Sequence, residues 1–168
     1  MKLAVWIIAV ALIAASTQAH AQDRVGQGQP SAGGQALGDT LSLLYVVSGV
    51  RDNGAAAFAG TATTIHCTNA STVTESLQII FRQDNGTIAG NSTFIAASAH
   101  TLTASTHDTN AYTEFALNTG IINSGVAFIF ATTQFMFCTA MTIDASAAVP
   151  TGVSLHMVRF SPVAGTSE

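Results

Sequence analysis

The sequence predicts an all-β protein, a single antiparallel β-sandwich of about eight to nine short strands. Three observations lead there. Compact runs rich in Val, Ile, Thr and Phe recur along the chain, with Gly, Asn, Asp and Pro between them. No stretch carries a helical period of apolar residues. Two cysteines, Cys67 and Cys138, lie in an early and a late strand-like run, where a bridge suits two sheets held face to face. A small closed barrel is the alternative that the same pattern allows.

Residues 1–21 read as a secretory signal peptide. Lys2 supplies the positive end, Leu3 to Ala15 the apolar run, and Ala19 and Ala21 around His20 an A-x-A site with cleavage before Gln22. The apolar run is shorter than the about 20 residues a spanning helix needs, so no membrane span is expected after cleavage. Residues 22–38, rich in Gly, Gln, Ala and Ser, have little to bury and read as a flexible linker. Residues 39–162 form the expected sandwich domain, and 163–168 a small polar tail. The expected location is secreted or periplasmic.

Composition removes some partners. Only 8% of the 168 residues are charged and the formal net charge is −4. Beyond the leader the cations are Arg24, Arg51, Arg82 and Arg159, too few and too scattered to neutralise a phosphate backbone, so nucleic acid is not an expected partner. An even cysteine count in an exported chain favours a disulfide. Closing a loop of about 70 residues stabilises by roughly 4 kcal/mol in the chain-entropy model.

The first strand is LSLLYVVSGV, from Leu41, ended by the turn residues Arg51-Asp52-Asn53-Gly54. The second runs from about Thr61 to Thr68. Alternation turns Ile65 and Cys67 inward and Thr64, His66 and Thr68 outward. In the third, Val73, Leu77, Ile79 and Phe81 share one face, with Thr74, Ser76, Gln78 and Arg82 mostly on the other. Asn85-Gly86 then supplies the pair that a two-residue type I′ hairpin needs. Folding about it sets Phe81 opposite Gly90, Ile79 opposite Ser92 and Leu77 opposite Phe94.

Weaker strand candidates are Ala97 to Ser105 and Tyr112 to Asn118, with a connection over Gly120 to Gly125. GVAFIFAT and FMFCTAMTID are apolar on both faces and read as interior strands, with Phe128, Phe130, Phe135 and Phe137 in the core. A loop over Ala145 to Gly152 precedes a last strand, VSLHMVRF.

The run Thr61 to Ser105 resembles the immunoglobulin-like and fibronectin-like sandwich modules of secreted bacterial proteins. The parts are Cys67-Thr68-Asn69-Ala70-Ser71 closing a strand, the alternating Leu77 to Arg82, the Asp84-Asn85-Gly86 turn, and the strand His100 to Ser105. The resemblance covers about a third of the mature chain. It implies a spacer, adhesive or partner-binding module and carries no catalytic residue across.

Four histidines, His66, His100, His107 and His156, are candidate metal ligands, since imidazole is the commonest one. None stands in an H-x-H or H-x-x-x-H pair, and scattered surface histidines explain them better. His107 with Asp108 is the best single candidate, because a loop carries it beside a carboxylate. A hydrolytic set from His107, Asp108 and Asp144 lacks any strained-turn signature for a nucleophile. Glu75 and Glu114 read as solvated strand residues. Asn69, Asn85 and Asn91 each begin an N-x-[ST] triplet.

The expectation is therefore a non-enzymatic exported structural or protein-binding module, with no catalytic residue, no cofactor and no metal, engaging a protein partner or itself. The alternatives are a small histidine-based metal-binding protein and a hydrolase.

Overall fold

The computed structural model describes residues 40–160. The expected signal peptide, linker and tail lie outside the described residues. Ten strands follow in order: β1 Ser42–Asp52, β2 Thr61–Asn69, β3 Glu75–Arg82, β4 Ile88–Ala96, β5 Thr101–Ser105, β6 Phe115–Ala116, β7 Ile122–Ala131, β8 Met136–Asp144, β9 Gly152–Ser154 and β10 Met157–Arg159. There is no helix among them.

The strands form two five-stranded sheets. Sheet A has the order β10-β1-β7-β3-β4 and sheet B the order β6-β5-β2-β8-β9. Pairing is antiparallel except between β5 and β6, which run parallel. Inward residues of both sheets share one core: Val47, Ile79 and Ile129 from sheet A pack in the same cluster as Ile65, Leu102 and Met136 from sheet B. This is the arrangement of a β-sandwich, and alternation is what produces it, because every second side chain of a strand reaches the same face.

The β3–β4 hairpin keeps the expected register, with Phe81 opposite Gly90, Ile79 opposite Ser92 and Leu77 opposite Phe94. Its turn is different. Gly86 has φ 83° but Asn85 has no positive φ. The Gly86 N–H donates to Gln83 O at 3.0 Å and the Gln83 N–H to Thr87 O at 2.9 Å. The loop is therefore three residues long, a type I turn closed by a left-handed glycine. A bulge between Arg82 and Phe81 absorbs the extra residue and returns the pairing to the register of a two-residue loop. Val73, expected inward, is 60% exposed because it precedes β3 in the turn.

Other boundaries shift as well. β5 begins only at Thr101, and the Tyr112 to Asn118 candidate shortens to Phe115–Ala116. β7 starts at Ile122, inside the expected connection. The expected last strand is two: β9 pairs with β8 in sheet B, and β10 with β1 in sheet A. Leu155 and His156 carry the chain between sheets, each fastened by its backbone: the Leu155 N–H donates to Ala140 O and the Ser48 N–H to His156 O.

Cys67 and Cys138 have their sulfurs at bonding distance, 2.08 Å. They do not join the two sheets. Cys67 and Cys138 are direct partners across β2 and β8 within sheet B. Their Cα atoms lie 4.1 Å apart, close to the roughly 4.5 Å of a non-hydrogen-bonded antiparallel pair. Their sequence separation of 71 carries no information about which strands become neighbours.

Candidate functional site

Sheet B has a covered outer face. Where β5 ends, residues 106–119 fold back over it, held by backbone bonds from the Thr106 N–H to Thr63 O, the Asn110 N–H to Ala145 O, and the Leu117 N–H to Ser105 O. Thr64, Thr103 and Ser105 point outward by alternation, yet this loop buries all three. The expected solvent face of β2 is in fact a second, polar interior.

His66 lies in that layer, half-buried. Its Nδ1 is 2.9 Å from Thr103 Oγ1, its Nε2 3.4 Å from Thr64 Oγ1, and the Tyr112 ring meets it edge-on with centroids 4.4 Å apart. Burial holds its pKa below the usual histidine value.

Glu114 is buried too, which overturns its reading as a solvated strand residue. Its Oε1 accepts the Thr109 N–H, while its Oε2, Ser105 Oγ and Thr109 Oγ1 are buried without a hydrogen-bond partner. Burial pushes the carboxyl up to about 7. The neighbouring Thr109 and Ser105 groups partly offset that, and the Asp108 charge adds to it. Glu75 is half-buried, its two carboxylate oxygens accepting from Ser71 and Thr132.

His107 is neither a surface residue nor an open ligand. It is 5% exposed, with Nδ1 2.7 Å from Asp52 Oδ2 and Nε2 2.9 Å from Ala59 O. Both ring nitrogens are thus occupied, one by a carboxylate oxygen and one by a backbone carbonyl. Asp52 also accepts from the Gly54 N–H at 2.6 Å and from Thr119 Oγ1 at 3.5 Å. The pair clamps together the end of β1, the β1–β2 loop and the cover loop. An acid–histidine pair also begins a hydrolytic triad, but here the distal nitrogen ends on a backbone carbonyl instead of a nucleophile.

The remaining candidates lie apart. His100 is exposed on the β4–β5 turn and His156 on the β9–β10 link, while Asp108 is half-buried with its carbonyl accepting the Phe58 N–H. Among the described residues no group of three or more His, Cys, Asp or Glu side chains stands together so as to hold a metal ion. Asp144 closes its own turn, accepting from the Ser146 hydroxyl and N–H, which lower its pKa. Asn69 is fully buried, and its Nδ2 donates to Val73 O, Ala96 O and Ala97 O, so its triplet is a structural corner. Asn85 and Asn91 are exposed.

Sequence reasoning missed Asp52, which it placed in a turn, and the burial of Glu114. The only local signal for Asp52 was an acid directly after an apolar strand.

Sheet A contrasts with this. One register row of its outer face reads Val158, Val46, Phe128 and Ile80 before reaching Asn91 at the edge. The next row pairs Leu43 with Phe130. Arg82 lays its guanidinium 5.9 Å from the Phe128 ring centroid. The four phenylalanines expected in the core are all outside it: Phe128 and Phe130 are half-buried on this face, and Phe135 and Phe137 are 60% and 52% exposed. Arg159 reaches over Phe137 and Tyr45 and donates to Gln134 O at 2.6 Å. Among the described residues no helix is long and apolar enough to cross a membrane. Comparison of the chain with protein-family models, with curated proteins and with solved structures finds no match.

Proposed function

We propose that this chain is an exported, immunoglobulin-like β-sandwich module that works by contact with a protein surface and catalyses nothing. The observation that carries the reading is the outer face of sheet A, where Val158, Val46, Phe128 and Ile80 line up across four strands, Val158 exposed and the other three half-buried. A contiguous apolar surface of this kind marks an interaction site. The titratable groups point the same way, since His107, Asp52 and Glu114 are committed to holding the cover loop. The paired cysteines suit an oxidising compartment outside the cytoplasm.

The test is site-specific photo-crosslinking in the producing cell. A benzoylphenylalanine at Phe130, on the open face, is expected to capture one defined protein partner or a second copy of the chain, while the same probe at Thr151, in the β8–β9 connection, captures nothing. Absence of any adduct from Phe130 overturns the reading.

A further inference from the structure

A sheet edge is a template for another strand, and folds protect edges with short strands, charges or prolines. Three of the four edges here are protected by shortness: β6 has 2 residues, and β9 and β10 have 3 each. The fourth, β4, has 9 residues, IAGNSTFIA, without one charge or proline. Its bulge lies at the turn end and leaves the rest straight.

We infer that β4 is a self-pairing edge, through which two copies of this chain join sheet A to sheet A in an antiparallel, two-fold arrangement centred on Ser92. This deepens the proposed function and rests on it. The argument is the strand's own sequence. An isologous pair sets residue i opposite residue j and j opposite i. With Ser92 on the axis, Asn91 faces Thr93 of the second copy and Gly90 faces Phe94, all four beyond the bulge at Ala89. Polar meets polar, and an aromatic meets a glycine.

The aromatic-against-glycine pairing already occurs inside the molecule, where Phe81 of β3 faces the same Gly90. A foreign strand has no reason to match this palindrome, whereas a second copy matches it by construction. The outward positions agree as well. Asn91 already accepts from Gln78 Nε2 at 3.1 Å, so the polar ladder of β3 and β4 continues across the axis. The joined sheet makes the two apolar faces continuous.

The experiment is light scattering on the exported protein over a wide concentration range, with two double variants. In Asn91→Lys with Thr93→Lys, each lysine faces a lysine across the axis, and the dimer dissociation constant is expected to rise at least about tenfold. In Asn91→Lys with Thr93→Glu, each lysine faces a glutamate, and dimerisation is expected to return to within about threefold of the parent. Both variants change the same two positions, exposed Asn91 and half-buried Thr93, so a folding defect, read by circular dichroism, would strike both alike.

A dimer indifferent to both variants overturns the β4 pairing and leaves the contact-module reading standing. So does a monomeric parent whose Phe130 probe still captures a partner. A monomeric parent whose probe captures nothing overturns both.

Discussion

At the residue scale, buried polar side chains decide how firmly residues 106–119 are held. Glu114 titrates at about 7 in the folded chain because burial disfavours its charge. A raised carboxyl pKa means that the folded state binds the proton more tightly than the unfolded state. Its stability is then fully present below the unfolded value near 4.5, and falls as pH rises through about 7. Urea titrations between these limits are expected to show a decline of at most about 3 kcal/mol. Glu114→Gln is expected to flatten that dependence and to be more stable than the parent above pH 7. His107 and Asp52 are the complementary case. Removing one member leaves the other buried without its hydrogen-bond partner, so Asp52→Ala is expected to cost about 1–3 kcal/mol. The double variant with His107→Ala should cost clearly less than the two single losses added together, a coupling that a double-mutant cycle in denaturant measures.

At the element scale, turn chemistry and strand pattern are separable. The pairing of β3 with β4 agrees with alternation, yet only Gly86 among the central turn residues has a positive φ. Gly86→Ala is therefore expected to cost about 1 kcal/mol through backbone strain alone, since its added Cβ would meet nothing within 4 Å. Asn85→Gly would relieve a type I′ turn but has no left-handed residue to relieve here, so it is expected not to stabilise. Chemical denaturation of the two variants distinguishes the turns. Gly90 behaves differently, because a Cβ there would lie 2.8 Å from Thr119 Cγ2 and 3.2 Å from Leu117 Cβ. Gly90→Val is expected to lose about 1–3 kcal/mol by overpacking, seen as a lower melting temperature.

At the scale of the whole molecule, the covalent link and the sheet order act together. The bridge between Cys67 and Cys138 fastens β2 to β8 in the middle of sheet B, and those strands also pair along nine positions from Thr61 to Asn69. Replacing both cysteines with alanine is expected to keep the native spectrum while lowering stability by up to about 4 kcal/mol, the cost of freeing a long loop in the unfolded chain. Denaturant melts of the oxidised protein and the double variant give the difference. The sandwich itself closes on one side through β9 and β10, where the chain leaves sheet B for sheet A at Leu155 and His156. On the other side β4 is an edge strand, and the apolar outer face of sheet A lies beside it.

The sequence by itself determined what depends on near neighbours. Alternation in Leu77, Ile79 and Phe81, together with the Asn-Gly turn region, specified a strand, a hairpin and its register, because these are set within a few residues. Apolar runs separated by turn residues specified an all-β chain. Only the tertiary structure decided which strands sit side by side and what covers each face. Cys67 and Cys138 became neighbours within one sheet, although their spacing equally allowed a link between sheets. Asp52 became the partner of His107 because β1 ends beneath the cover loop, 55 residues away in the chain. Thr64 and Glu114 became interior for the same reason. A period of two tells which face a side chain takes, and it is blind to whether that face meets water, a loop or another sheet.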